Sequence, residues 1–149
     1  MLLKDEVEML RRIPLFSGVA PAKLKLLAFT SDRVSYRADQ ALFRQGDMGD
    51  AAYVILSGTA EVSVDTPNGQ IKVAEVEHDS IVGEIAILCD VLRTATVTAS
   101  TPLEALRISK EHFLKLLSDY PEMTIEIMRV LASRLSHTTA ELSEERSKH

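Results

Sequence analysis

The hydrophobic positions near the N-terminus follow the spacing of helices. Apolar residues recur every three or four positions in two stretches, as they do along one face of a helix. The positions concerned are Leu3, Val7, Leu10, Leu24, Leu27 and Ala28. A Pro and a Gly within residues 13–19 end the first helix, and Pro21 is suited to the first turn of the second. The pattern therefore predicts N-terminal helices over residues 1–29.

Between residues 32 and 109 the pattern changes to short runs of β-branched or alternating apolar residues, separated by turn residues. Ser57-Gly58 and Pro67-Asn68-Gly69 each predict a tight hairpin. About six to eight short strands, spaced roughly ten residues apart, indicate an all-β barrel or jelly roll over this part of the chain. The predicted fold class is mainly β with flanking α-helices.

Helical spacing returns after residue 109 and predicts C-terminal helices over residues 110–146. Ser109 is a suitable N-cap, and Tyr120-Pro121 separates a short helix from a longer one. In the longer helix the seam positions alternate steps of three and four, which is heptad spacing. They are Met128, Leu131, Leu135, Thr138 and Leu142. This seam could pack on the chain's own β-structure, but heptad spacing favours a parallel homodimer.

Length and composition are typical of one globular domain. The chain has 149 residues, of which 46% are hydrophobic and 26% charged, and it shows no internal repeat or linker. We therefore expect a single stand-alone domain over residues 1–149. The longest apolar runs are too short to span a membrane, and the acidic residues near the N-terminus are unlike a signal peptide. The single cysteine, Cys89, cannot form an internal disulfide, so we expect a cytoplasmic protein.

The net charge of −5 excludes polyanionic partners. With 17 Lys and Arg against 22 Asp and Glu, the chain lacks the basic surface that nucleic acids or anionic membranes require. One basic side chain in a pocket could still bind a single phosphate. The histidines show no metal-ligand spacing, and no pairing of nucleophile and base is evident. We therefore expect no metal site, no cofactor, no catalytic residue and no enzymatic activity.

One segment combines residues suited to a phosphorylated sugar. Gly83 and Glu84 follow a short strand and begin a short apolar helix, and Arg93 precedes a Thr-rich strand. Glycine allows a ligand to approach the backbone, and the free N–H groups at a helix start favour phosphate. Glu84 can accept hydrogen bonds from a sugar hydroxyl, and Arg93 can donate to two phosphate oxygens. On these residues alone, a surface ion pair between Glu84 and Arg93 is an equally good interpretation.

Residues 83–97 resemble the phosphate-binding cassette of cyclic nucleotide-binding domains, as found in the catabolite activator protein, cyclic-nucleotide-dependent kinases and hyperpolarisation-activated channels. The family pattern is G-E-[LI]-A, about six further residues, and R-[TSA]-A-[TS]-V. This chain matches it without a gap, at Gly83, Glu84, Ile85, Ala86, Arg93, Thr94, Ala95, Thr96 and Val97. Gly46-Asp47, Tyr53-Val54-Ile55 and Ser57-Gly58 also resemble family signatures. Val82 departs from the pattern, since an aromatic residue often precedes the glycine.

The resemblance implies a role for each part of the segment, called the cassette below. Glu84 would bind the ribose 2′-hydroxyl group of a cyclic nucleotide, and Arg93 would bind the cyclic phosphate. Backbone N–H groups around Ile85, Ala86 and Ala95 would complete the phosphate site. Gly83 would allow the ligand to approach. A C-terminal helix would act as lid or dimer helix.

The contacts to the base that the resemblance implies favour cGMP at one position and cAMP at another. In relatives, a threonine at the position of Thr94 can bond the amino group of a syn guanine, which favours cGMP. Thr138 and Thr139 fall on the hydroxyl pair that contacts adenine in the dimer helix of the catabolite activator protein, although they could simply be polar seam positions. We expect cAMP rather than cGMP.

The implied function is that of a cyclic nucleotide sensor or regulatory domain acting on a separate, unidentified effector protein. Two alternatives stay open. The chain could be a truncated transcriptional regulator of the catabolite-activator type, without its DNA-binding domain. It could also be an interaction scaffold of the same fold that binds no ligand. Cys89 lies on the apolar cassette helix and is expected to be buried.

Overall fold

The computed structural model describes residues 3–129 and 132. Helices α1 and α2 precede the strands, α3 lies among them, and α4 follows them; further helix covers residues 121–129. The helix bounds are α1 Leu3–Arg11, a short 3-10 helix Pro14–Phe16, α2 Pro21–Thr30, α3 Glu84–Leu88 and α4 Lys110–Asp119. The strand bounds are β1 Asp32–Tyr36, β2 Ala41–Phe43, β3 Ala51–Ser57, β4 Ala60–Thr66, β5 Gly69–Val76, β6 Ile81–Val82, β7 Thr96–Ala99 and β8 Leu103–Ser109.

These eight strands form two four-stranded antiparallel sheets rather than one closed barrel. The inner sheet has the order β1-β8-β3-β6, and the outer sheet has the order β2-β7-β4-β5. The predicted fold, a mainly β jelly roll of about eight strands with flanking helices, is confirmed. The predicted seam beyond Met128, together with Thr138 and Thr139, lies outside the described residues.

Strand β3 of the inner sheet is buried on both faces, which explains why its sequence is almost continuously apolar. Successive side chains of a strand point to opposite faces. Ala52, Val54 and Leu56 pack in a cluster with residues of the helices. Ala51, Tyr53 and Ile55 pack in a second cluster with residues of the outer sheet. The inner sheet is therefore the middle layer, between the helices and the outer sheet.

The helices are joined to the inner sheet by apolar burial and by ion pairs. Leu10, Leu24 and Phe113, from three different helices, are fully buried in the same cluster. Arg33 of β1 bonds Glu104 of β8 and lies 3.5 Å from Glu6 of α1. Ser109 caps α4 as predicted, since its hydroxyl accepts a hydrogen bond from the N–H of His112.

The two predicted hairpins have different outcomes. Pro67-Asn68-Gly69 connects β4 to β5, which pair in antiparallel register from Thr66–Gly69 to Ala60–Val76, so this prediction is confirmed. The hairpin predicted at Ser57-Gly58 is wrong, because β3 and β4 belong to different sheets. The turn carries the chain from the inner to the outer sheet and packs closely against Pro102 and Leu103.

Within residues 3–129 and 132, no helix combines the length and the apolar character needed to cross a membrane.

The layer order predicts which strand residues stabilise the fold. Ile55 is fully buried between the sheets, whereas Ile71 on the edge strand β5 is 50% exposed. We expect Ile55→Ala to lower the free energy of unfolding by about 2–5 kcal/mol, since it removes buried methyl groups and leaves a cavity. The matched change Ile71→Ala should cost less than about 1 kcal/mol. Chemical denaturation followed by circular dichroism measures both, and equal losses would contradict this assignment of layers.

Candidate functional site

A cavity of about 550 Å³ lies between the cassette and strands β4 and β5 of the outer sheet. Its volume is in the range of small-molecule sites in proteins. The cassette residues predicted to bind ligand all line it: Gly83, Glu84, Ile85, Ala86, Arg93, Thr94 and Ala95. The structure therefore brings these seven residues together around one space. Their role in binding stays a prediction, as does that of Thr138 and Thr139.

Arg93 is the buried cation of this site, with 3% of its surface exposed. Its Nη1 donates to the carbonyl oxygen of Gly83 at 2.7 Å, and its Nη2 donates to that of Ala51 at 2.6 Å. The guanidinium lies over the ring of Phe43, with its central carbon 4.1 Å from the ring centroid. Two carbonyls and one aromatic face thus fix the orientation of the guanidinium.

Part of the hydrogen-bonding capacity of Arg93 is unused. Among the described residues, its Nε is the buried side-chain polar atom that has no hydrogen-bond partner. Burial lowers the pKa of the Arg93 guanidinium from its ordinary value, while the negative charges of Asp50 and Asp47 act in the opposite direction. An arginine stays protonated at neutral pH even so. The site therefore holds a cation that can still donate to an anion.

Gly83 is required by the position of Arg93. Its φ of +87° lies in the left-handed region, where it precedes the first residue of α3. A Cβ at this position would lie 2.7 Å from Nη1 of Arg93 and 3.2 Å from the carbonyl oxygen of Ala51. Any side chain here would displace the guanidinium, so the glycine serves both the turn and the cation.

Glu84 begins α3 and is 4% exposed. Because Glu84 and Arg93 are both buried, the alternative interpretation as a surface ion pair is wrong. A carboxylate at the start of a helix is favoured by the unpaired N–H groups there. Glu84 thus places acceptor oxygens on the wall of the same cavity that contains the Arg93 donors.

The loop between β2 and β3 fixes the backbone of the cassette. The N–H of Arg93 donates to the carbonyl of Asp47 at 2.8 Å, and the N–H of Gly46 donates to the carbonyl of Arg93 at 2.9 Å. Next to this bridge, Gln45 donates from its backbone to the hydroxyl of Thr96 at 2.9 Å. The Gly46-Asp47 signature is therefore part of the support for Arg93.

The far wall of the cavity is mainly apolar. Val62 of β4 and Val73, Ala74 and Val76 of β5 line it, together with Glu75 of β5, opposite the polar cassette. Thr94 also lines the cavity and has an exposed side chain. The cavity thus offers a charged side and an apolar side to one occupant.

Cys89 follows α3 and is exposed, so the expectation that it is buried is wrong. The helix has five residues and ends before this position, and the N–H of Cys89 bonds the carbonyl of Ile85 at 2.9 Å. A helix this short buries one side only, and Cys89 falls outside that side.

Sequence reasoning missed four contributors to the site: Phe43, the carbonyl of Ala51, the carboxylate of Asp50 and the guanidinium of Arg107. Asp50 lies 3.8 Å from Nη2 of Arg93 and accepts a hydrogen bond from Arg107 at 2.9 Å. Arg107 did carry a signal, because it is a charged residue between the apolar residues Leu106 and Ile108 of β8. The contribution of a backbone carbonyl has no sequence signal.

The sequence and the fold of this chain are both similar to those of known proteins. Residues 33–120 match the family model described as the cyclic nucleotide-binding domain. The chain is 28% identical over 138 residues to the CRP-like cAMP-activated global transcriptional regulator of Mycobacterium tuberculosis. That match covers 92% of this chain and 62% of the regulator. Lysophospholipase nte1 of Neurospora crassa is 28% identical over 130 residues, which are 87% of this chain and 9% of that protein.

A solved structure with the same fold is the sensor domain of the transcriptional regulator DNR from Pseudomonas aeruginosa. The two superpose with a TM-score of 0.80 at 25% sequence identity. The match covers 93% of this chain and 94% of that sensor domain. The similarity therefore extends over the helices as well as the sheets.

The close approach at Gly83 predicts the effect of a single methyl group. Gly83 and Gly69 both have positive φ, but a Cβ at Gly69 would meet no atom within 4 Å. Gly69→Ala should lower the free energy of unfolding by about 1 kcal/mol, the usual cost of a left-handed alanine. Gly83→Ala should cost at least about 1 kcal/mol more, because it also displaces the Arg93 guanidinium. Equal losses in denaturation would show that the guanidinium moves aside without cost.

Proposed function

The chain belongs to the cyclic nucleotide-binding domain family, and we propose that the cavity beside its cassette binds cAMP or cGMP as a regulatory ligand. The observation that carries this proposal is the buried Arg93 guanidinium, which two carbonyls and a ring orient, while its Nε has no partner within the described part of the chain. Fixed donors bind an anion without first losing side-chain freedom.

In this proposal Arg93 binds the cyclic phosphate. The backbone N–H groups of Ile85 and Ala86 assist it, because the first N–H groups of a helix have no partner within the helix. The N–H group of Ala95, just before β7, assists as well. Gly83 leaves the space that the guanidinium occupies. A cyclic phosphate carries one negative charge, which a single arginine can balance.

Glu84 binds the ribose. Its carboxylate accepts a hydrogen bond from the 2′-hydroxyl group, which cAMP and cGMP share. This contact distinguishes the ligands from deoxyribose compounds but does not distinguish the two bases. The apolar wall of β4 and β5 suits either purine, since burial of an aromatic ring needs no particular polar pattern.

We infer a preference for cAMP. Thr94 lines the cavity and could bond a guanine, whereas Thr138 and Thr139 are proposed to contact adenine. The relative from M. tuberculosis is described as cAMP-activated, which supports the proposed adenine contact. Titration of the unsubstituted protein with cAMP and with cGMP tests this preference. Tighter binding of cGMP would contradict it.

The proposed output is regulatory rather than catalytic. Ligand stabilises one conformation of the protein only in proportion to its higher affinity for that conformation. We propose that a separate effector protein or a homodimer partner reads this change in the cytoplasm, and that the chain catalyses no reaction. Because the matched relative is a transcriptional regulator of which the chain spans 62%, a role within such a regulator is the second candidate.

Substitution of Arg93 tests the phosphate contact. Arg93→Gln should weaken cAMP binding by about 100-fold, because it removes charge-assisted hydrogen bonds to the phosphate. Arg44→Gln is the matched control, since Arg44 is exposed on the neighbouring loop and does not line the cavity. Calorimetric titration measures both affinities, after circular dichroism has shown that the variants are folded. Absence of binding in the unsubstituted protein would favour the scaffold alternative.

The ribose contact is tested with a changed ligand as well as a changed residue. Unsubstituted protein should bind 2′-deoxy-cAMP about tenfold more weakly than cAMP, since a buried carboxylate loses its hydroxyl partner. In Glu84→Gln the difference between the two ligands should become much smaller. If the deoxy ligand is disfavoured equally in both proteins, Glu84 does not bind the 2′-hydroxyl group.

A further inference from the structure

Arg107 is a cation between two apolar residues of β8, and it is linked through Asp50 to Arg93 of the proposed site. Its neighbours Leu106 and Ile108 face the helices, so alternation along β8 directs Arg107 to the side of the outer sheet. Across the inner sheet it pairs with Tyr53 of β3 and with Asp32 of β1. It is therefore held between two strands, on the sheet face that also carries Tyr53.

The contacts of Arg107 centre on Asp50. Its Nη2 donates to Oδ2 of Asp50 at 2.9 Å, while its Nη1 lies 3.9 Å from Asp32. Burial acts to lower the pKa of Arg107, but a side-chain hydrogen bond to Tyr53 and the charges of Tyr53, Asp50 and Asp32 together outweigh it and raise the pKa. Arg107 thus remains a cation that orients the Asp50 carboxylate.

Asp50 lies between two arginines but bonds one of them. The distance from its Oδ1 to Nη2 of Arg93 is 3.8 Å, which is too long for a hydrogen bond. The Nη2 of Arg93 donates to the carbonyl of Ala51 instead. The two oxygens of this carboxylate thus face different arginines, and a change of about 1 Å in its position would bring Oδ1 within hydrogen-bond distance of Arg93.

The surroundings of Asp50 permit that change. Its backbone is fixed, because its N–H donates to the carbonyl of Met48 at 3.1 Å and its carbonyl accepts from Lys110 at 2.9 Å. Its side chain is 62% exposed, so solvent leaves it room to rotate. The neighbouring carboxylate of Asp47 is engaged elsewhere, since it accepts a hydrogen bond from the N–H of Arg44 at 3.0 Å.

We propose that Arg107 is a positioning residue that holds the Asp50 carboxylate away from Arg93, so that the Arg93 guanidinium remains available to a phosphate anion. The inference rests on the proposed function. A carboxylate bonded directly to Arg93 would occupy donors that the phosphate needs and would repel the negative charge of the ligand. By bonding Asp50 itself, Arg107 removes this internal competitor.

The test uses the full chain and calorimetric titration with cAMP. Arg107→Gln should weaken binding by about threefold to fivefold, the size expected when a largely exposed carboxylate is free to form an ion pair with Arg93. Asp50→Asn should bind as tightly as the unsubstituted protein or more tightly. The double variant should match Asp50→Asn, because without the carboxylate there is nothing for Arg107 to restrain. Arg107→Lys keeps a cation and should restore most of the affinity.

The outcomes separate positioning from a structural role. If the double variant loses as much affinity as Arg107→Gln alone, Arg107 acts through packing and the inference is overturned. A clear loss of affinity in Asp50→Asn overturns it as well, and that measurement stands even if Arg107→Gln does not fold. If the unsubstituted protein binds no cyclic nucleotide, the proposed function fails and the inference with it. If the unsubstituted protein and Arg107→Gln bind cAMP equally well, the proposed function stands and only the inference about Arg107 fails.

Discussion

The burial of one guanidinium group is the constraint on which the site depends. A buried cation is costly unless its donors are paired. Arg93 pairs Nη1 and Nη2 with the carbonyls of Gly83 and Ala51, and its guanidinium lies over the face of Phe43. These partners come from the cassette, from β3 of the inner sheet and from β2 of the outer sheet. The same side chain that is proposed to bind ligand therefore connects three parts of the fold.

This constraint gives physical meaning to several residues around it. A side chain at Gly83 is disfavoured because its Cβ would lie 2.7 Å from Nη1 of the guanidinium. The loop at Gly46 and Asp47 is bonded to the backbone of Arg93 on both sides, which fixes the point from which the side chain extends. A cation held in this way is preorganised, and its orientation is set by the protein before any anion arrives.

The sequence predicted the sheets, the helices and the cassette because each has a local signal. Short runs of β-branched or alternating apolar residues marked the strands, and an ungapped motif marked the cassette residues that line the cavity. What it missed is non-local. The bond from Arg93 to Ala51 joins residues 42 positions apart, and the bond from Arg107 to Asp50 joins residues 57 apart. The error at Ser57-Gly58 has a related cause, because turn residues show where a chain reverses but not which strand it will pair with.

A net charge of −5 and a proposed anion site are compatible because they act over different distances. At physiological ionic strength the charges of exposed groups are screened beyond about 8 Å, so a small ligand responds mainly to the charges that line its cavity. Arg93 and Glu84 line one side of that cavity, and mainly apolar residues of β4 and β5, together with Glu75, line the other. A nucleic acid, in contrast, would contact a broad surface in which acidic groups are in excess. The net acidic charge is therefore compatible with the proposed ligand, which carries one phosphate and one aromatic base.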